Sequence, residues 1–299
     1  MNSKVADRIN EIRKDRMHGA GWLSRQAIVI LNLAIEESQA DTIANFTDEV
    51  KAVATELMKA RPNMISIANY IHQFTYQIIL ASRNEKELDS LKTLTQIKGN
   101  ELIKLSEEAS SKSIEHGCRI ISNADIIITC SYSSTVCSVF ELSRQKGTTF
   151  RVIAAESRSE GKAYGEITAE QLKLHQIPVE ILLDEAIDKH TAKADKALVG
   201  ADSILVDSSL INGTPSLRLA QAARKENIPF YTVCETAKLD VQGYIDLEAE
   251  PEPGFDKIPP DLISGIITEN GIMKPDQVIA YINKEATRTE MEVQGLTGG

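Results

Sequence analysis

Leu198-Val199-Gly200-Ala201-Asp202-Ser203-Ile204-Leu205-Val206-Asp207-Ser208-Ser209-Leu210-Ile211-Asn212-Gly213 is the stretch that decides the fold. An apolar strand runs into a Gly-Ala-Asp corner, a second apolar run follows, and a polar turn closes it. Further on, Ile228-Pro229-Phe230-Tyr231-Thr232-Val233 reads as another buried strand. Turns that follow parallel strands are where open α/β sheets build their ligand sites.

Working outward, short β-branched or apolar runs recur at 124–130, 150–155, 179–183, 196–206, 229–234 and 262–268. Helical periodicity separates them at 136–145, 168–174 and 216–225. Strands alternating with helices imply right-handed crossovers and a parallel sheet covered on both faces. The first half reads differently. Apolar residues recur at three- and four-residue spacing over 21–37, 47–59 and 66–80, and a charged helix over 83–116 is expected to end at Gly117. Asp41 and Thr47 are the expected helix N-caps. The fold class is therefore α/β: an N-terminal helical domain over 1–115 followed by a Rossmann-like parallel-sheet domain over 116–299. The segment 250–260 reads as a proline-rich loop, and the polar tail from Glu285 as frayed.

Composition narrows the class. Of the 299 residues, 42% are hydrophobic and 25% charged, which fits a globular protein with a sizeable core. The apolar run 28–35 is too short for a membrane span and contains Asn32. Met1-Asn2-Ser3-Lys4 lacks the apolar core of a secretory leader. Cys118, Cys130, Cys137 and Cys234 have no framework-like spacing, so reduced thiols and a cytoplasmic location are expected. The net charge of −10 comes without a Lys/Arg stripe, which argues against direct nucleic-acid binding. An anionic ligand would need a local pocket of cations and backbone N–H groups. His116, His175 and His190 show no metal-ligand spacing, so no metal is expected. No Gly-x-Gly-x-x-Gly follows a first strand, which argues against a dinucleotide enzyme, and no cofactor is expected.

Several short motifs occur in order along the chain: Met17-His18-Gly19-Ala20-Gly21-Trp22-Leu23-Ser24-Arg25, Ala60-Arg61-Pro62-Asn63, Ile128-Thr129-Cys130-Ser131-Tyr132-Ser133-Ser134-Thr135-Val136, Glu156-Ser157-Arg158, Gly200-Ala201-Asp202, Ile211-Asn212 and Ile258-Pro259-Pro260-Asp261-Leu262-Ile263. Together they resemble the translation initiation factor 2B alpha/beta/delta superfamily, which also holds ribose-1,5-bisphosphate and methylthioribose-1-phosphate isomerases. The resemblance covers nearly the whole chain. The Ser-Tyr-Ser-Ser-Thr-Val turn is very similar to that of the regulatory subunits.

The resemblance implies site residues. In the isomerases a Cys after the first sheet strand and an Asp at the Gly-Ala-Asp turn carry the chemistry. Asp202 matches the Asp, but the Cys position falls on Ser131, because Thr129-Cys130-Ser131-Tyr132 replaces Thr-His-Cys-Asn. Neighbouring strand residues face opposite sides, so Cys130 does not stand in for the missing thiol. A serine hydroxyl is also a far weaker acid than a thiol. Asn212-Gly213 replaces the isomerases' Asn-Lys, and His18 stands where they have Arg. The expected ligand contacts are Gly19, Ala20, Gly21, Arg25, Arg61, Ser133, Arg158 and Asn212, with the site between the two domains at the carboxyl ends of the strands.

Each residue also has a plainer reading. Arg158 pairs with Glu156 or Glu160 on a solvated loop, Asp202 caps its own turn, and the serines of 131–134 cap the next helix. The function implied is a ligand-binding or regulatory member of the superfamily that takes a phosphorylated sugar or nucleotide. Its expected partners are translation initiation factor 2 or further copies of itself, a homo-oligomer joined partly through Val278, Ile279, Tyr281 and Ile282. The alternative is an aldose–ketose isomerase of the ribose-1,5-bisphosphate type.

Overall fold

The computed structural model describes residues 1–15, 17–159 and 161–297, with side chains through residue 289. It divides into two compact units, Met1–Glu108 together with Arg288–Gly299, and Ala109–Thr287. The boundary expected at 115/116 and this division fall within one helix.

The first unit is helical: α1 (Ser3–Lys14), α2 (Ala20–Glu36), α3 (Ile43–Met58), α4 (Ile65–Asn84) and the start of α5 (Leu88–Cys118). Each of the first four buries an apolar stripe: Val5, Ile9 and Ile12 on α1, Leu23, Ala27, Ile30 and Leu31 on α2, Phe46, Val50 and Val53 on α3, Ile67, Ile71, Phe74 and Ile78 on α4. Neither expected cap, Asp41 or Thr47, starts α3. Thr42 does, its hydroxyl accepting the Asn45 N–H at 3.2 Å, while Thr47 lies inside the helix and donates to the Ile43 carbonyl at 2.8 Å. Thr42→Ala is expected to lower stability by about 1 kcal/mol, with Thr47→Ala close to neutral, in urea unfolding.

The second unit alternates strands and helices: β1 (Ile126–Thr129), α6 (Ser134–Gln145), β2 (Arg151–Ala155), β3 (Arg158–Ser159), β4 (Lys162–Ala163), α7 (Tyr164–Leu174), β5 (Val179–Leu182), α8 (Ile187–Thr191), β6 (Lys196–Val199), β7 (Ser203–Ile204), β8 (Leu210–Gly213), α9 (Ser216–Glu226), β9 (Phe230–Val233), β10 (Phe255–Ile258), β11 (Gly265–Thr268), β12 (Gly271–Met273) and α10 (Pro275–Thr297). Among the described residues the main sheet has the order β12-β11-β9-β6-β1-β2-β5, parallel except for the antiparallel edge strand β12. Ile127, Val152, Leu198 and Ile267 face α6 and α7, whereas Ile128, Ile153, Val199 and Ile266 face α8, α9 and α10. Both faces are dry, so the strands read as continuous apolar runs. No helix among the described residues is long and apolar enough to cross a membrane.

Four expectations are corrected. The run 196–206 is not one strand: β6 stops at Val199, and β7 joins β8 and β10 in a separate three-stranded antiparallel sheet. The proline-rich loop at 250–260 contributes β10 to that sheet. α5 starts later than expected, at Leu88, and ends at Cys118, one residue past the expected stop; Gly117 is not a left-handed cap, and a Cβ there would stand 2.6 Å from Val139 Cγ2. The tail from Glu285 is helical as far as Thr297, while Gly298 and Gly299 lie outside the described residues. The C-terminal apolar face offered for self-association is largely spent within the chain, with Val278 and Ile282 buried in the core and Tyr281 packed against it.

Candidate functional site

β1 and β6 are neighbours, and the connections leaving them run to opposite sides of the sheet. That reversal leaves a crevice over their carboxyl ends, the usual ligand position in such a sheet. The ends read Cys130-Ser131 after β1 and Gly200-Ala201-Asp202 after β6.

Ser131 is held in a left-handed conformation at φ 60°, as is Ser157 after β2 at φ 52°. Such a backbone costs a non-glycine residue roughly 1–2 kcal/mol. Hydrogen bonds offset it: Ser131 N–H donates to Ser157 Oγ at 2.6 Å, and Thr168 Oγ1 donates to the Ser131 carbonyl at 3.2 Å. Asp184, after β5, accepts the N–H groups of Ser157 at 2.7 Å and Arg158 at 3.1 Å. Side chains thus tie three successive strand ends together. The Arg158 guanidinium is exposed and pairs with Glu156.

Ser133 is the N-cap of α6, accepting the Val136 N–H at 3.3 Å; Ser134 is the first residue of that helix and is exposed. Ser131 and Ser133 each face a glycine across the crevice. A Cβ on Gly213 would lie 2.4 Å from Ser131 Oγ, and one on Gly200 would lie 2.5 Å from Ser133 Oγ. The missing side chains at 200 and 213 are what let the two serines sit where they do.

Cys130 lies in the core just past the end of β1, where a left-handed backbone at Ser131 takes the place of the strand alternation expected there. It is 2% exposed within the core, and burial pushes its thiol up to about 12. Asn212 is 5% exposed, and its Nδ2 donates to Ser216 Oγ at 2.8 Å. At the corner, Asp202 N–H donates to the Ile211 carbonyl at 2.9 Å. Thr232 Oγ1 donates to the Gly200 carbonyl at 2.7 Å, and Lys238 Nζ to that of Ala201 at 2.8 Å. Lys238 and its neighbour Glu235 are buried. They were missed in the sequence, although two charged residues just past the apolar run 229–234 were the available signal.

The remaining candidates lie in the helical unit. Gly19 is the N-cap of α2, and no side chain caps the helix there. Ala20 is buried and Gly21 half-buried. The loop before them is organised by Asp15, whose carboxylate accepts Met17 N–H, His18 N–H and a contact from His18 Nδ1, each at 2.8 Å. Burial pushes the Asp15 pKa up, but the bonds from His18 and Met17 outweigh it and hold the carboxyl below its usual range. The His18 ring stacks on Trp22 at 3.8 Å. Arg61 is buried and donates from Nη1 to the Asp15 carbonyl, so it shapes this loop. Arg25 Nη1 donates to Ser106 Oγ at 3.3 Å.

The sequence matches the model of the Initiation factor 2 subunit family over residues 16–252. It is 28% identical to the ribose 1,5-bisphosphate isomerase of Thermococcus kodakarensis, covering 94% of each chain. It is also 28% identical to a putative translation initiation factor eIF-2B subunit 2-like protein of Pyrococcus furiosus, covering 91% of this chain and 97% of that one. The fold is similar to the crystal structure of translation initiation factor eIF-2B from Pyrococcus horikoshii OT3, with a TM-score of 0.80, 26% identity, and coverage of 93% of this chain and all of that one.

Proposed function

The chain belongs to the Initiation factor 2 subunit family, and from that premise we propose that it binds a phosphorylated sugar or nucleotide without isomerising it. The similar proteins divide between an isomerase and a factor subunit at equal identity, so the reading rests on residues. The observation that carries it is the pairing of Ser131 with Gly213, whose Cβ position lies 2.4 Å from Ser131 Oγ. Ser131 brings no thiol and Gly213 no cation at the two positions where the resemblance places them in the isomerases. The nearest thiol, Cys130, is buried and pushed up to about 12, beyond useful proton transfer at neutral pH.

The proposed ligand contacts in the α/β unit are Ser131, Ser133, Arg158, Asp202 and Asn212. In the helical unit they are Arg25 and the open N–H groups at Gly19, Ala20 and Gly21, with Arg61 as support for the loop before them. Regulatory partnership with translation initiation factor 2, self-association and a cytoplasmic location belong to the same proposal and rest on the family resemblance. The alternative, an isomerase of the ribose-1,5-bisphosphate type, draws support from similarity to the Thermococcus enzyme and from Asp202 at the strand end.

The test pairs calorimetry with turnover. Ribose 1,5-bisphosphate, ribose 5-phosphate and AMP are titrated, and the bisphosphate is assayed for conversion. Binding of at least one ligand with conversion at background is expected. Turnover on the order of one per second would establish the isomerase reading instead.

A further inference from the structure

Ser216 Oγ has three neighbours: the Gly213 carbonyl at 2.7 Å, Asn212 Nδ2 at 2.8 Å and Cys130 Sγ at 3.3 Å. A hydroxyl carries one hydrogen and two lone pairs. The carbonyl can only accept, so the hydroxyl hydrogen goes to Gly213. The other two contacts must then be donated to Ser216, one by the Asn212 amide nitrogen and one by the Cys130 S–H. The hydrogen-bond pattern alone thus fixes the orientation of the Asn212 amide.

The consequence lies on the other side of Asn212. Its Oδ1 points to the space over Gly200, 3.9 Å from where a Cβ on that glycine would stand. Ser133 Oγ borders the same point at 2.5 Å. Among the described residues no protein group donates to Asn212 Oδ1, and it is not one of the buried polar atoms left without a partner, so this acceptor is open to water and to a ligand that brings a donor. A phosphate oxygen brings none, whereas a sugar hydroxyl does.

We propose that Ser216, braced by Cys130, is a positioning residue that locks the Asn212 carbonyl toward the crevice and so commits that position to a ligand hydroxyl rather than a phosphate. This rests on the reading of Asn212 as a ligand contact. It also gives the cysteine at 130 a use, as a buried donor to Ser216.

The test measures affinities of ribose 5-phosphate and its 2-deoxy and 3-deoxy analogues by calorimetry. The parent should bind at least one deoxy analogue roughly tenfold more weakly, the worth of one buried hydrogen bond. Ser216→Ala should bring the ratio close to one while inorganic phosphate binds as before. Ser216→Thr, which keeps the hydroxyl, should restore the ratio, and Cys130→Ser should hold it better than Cys130→Ala. Thermal melts by circular dichroism confirm that each variant is folded. A parent ratio near one for both analogues, or Ser216→Ala with the parent ratio, would overturn the proposal. If the parent binds none of the three sugars, the proposed function is judged separately, by the titrations with ribose 1,5-bisphosphate and AMP. The lock is then decided by the Asn212 side-chain amide resonance, assigned through Asn212→Asp. A shift with faster hydrogen exchange in Ser216→Ala supports the lock, and an unchanged resonance refutes it.

Discussion

Lys238→Met is expected to destabilise the protein by about 3–5 kcal/mol, the cost of stranding one member of a buried ion pair. The Lys238 and Glu235 side chains are 5% and 4% exposed, with Nζ 3.8 Å from the Glu235 carboxylate. Methionine keeps the length and most of the packing but removes the charge. Glu235 would then hold a carboxylate in the interior without its counter-ion, and the Ala201 carbonyl would lose the donor now at 2.8 Å. The variant Lys238→Met/Glu235→Met should recover most of the loss, because an apolar pair of similar volume replaces the ions without leaving either unpaired. Urea unfolding of the parent, the single and the double variant measures the coupling directly. A single variant within 1 kcal/mol of the parent would mean that water reaches the pair. Added salt should change the parent little, since buried charges are screened weakly. Ala201 directly precedes Asp202, so the same substitution should also weaken ribose 5-phosphate binding.

The six parallel strands of the main sheet were legible because they announce themselves, whereas the antiparallel edge strand β12 was not read. Ile126-Ile127-Ile128 and Ala197-Leu198-Val199 are apolar on successive residues, as strands buried on both faces must be. The second sheet was not legible. Ser203–Ile204 is two residues long, and Phe255–Ile258 follows a proline-rich stretch, so neither carries a periodicity of its own. They are strands because β8 lies between them, a non-local fact. Gly117 marks the end of α5 to within one residue, and what the sequence did not show is its close approach to Val139 on another helix.

The candidate positions were readable in the sequence, whereas the contacts that hold them were not. Ser131, Ser133 and Asp202 lie just past the ends of β1 and β6, Asn212 lies within β8, and a left-handed backbone at Ser131 separates it from the core-facing Cys130. Ser157 and Asp184 also follow strands, and that shared position was a usable signal for the tie between β1, β2 and β5. The facing of Ser131 by Gly213 had no such signal. It depends on how β8 crosses the crevice, which belongs to the sheet that the sequence pattern concealed. Arg61 is the reverse case: a conspicuous cation in the sequence whose Nη1 is turned to the backbone of Asp15.

Gly165→Ala is expected to destabilise by about 3 kcal/mol, the upper end of the usual overpacking range. Gly165 is the second residue of α7, where that helix meets the end of β2. A Cβ there would stand 2.0 Å from the Ala155 carbonyl oxygen, 2.9 Å from its carbon and 3.0 Å from Glu156 Cα. All three are backbone atoms, so no rotamer change relieves the contact. The strand end cannot easily retreat either, since Glu156 N–H donates to Leu182 of β5 at 2.8 Å and Gly165 N–H donates to the Glu156 carbonyl at 2.9 Å. Gly117→Ala makes a useful contrast. Its nearest neighbour is Val139 Cγ2 at 2.6 Å, a side-chain atom that a small shift of α6 can move, so a smaller cost of about 1 kcal/mol is expected. Thermal melts should separate the two, with Gly165→Ala lowering Tm by roughly 6–12 °C and Gly117→Ala by roughly a third of that. The larger effect has a functional reach, because lifting α7 carries Thr168 away from the Ser131 carbonyl, now 3.2 Å from its hydroxyl. Ser131 would lose one of the bonds that hold its left-handed backbone, so residual folded Gly165→Ala should bind ribose 5-phosphate more weakly than the parent. A variant that melts within 2 °C of the parent would show that α7 does not lie this close to β2 in solution.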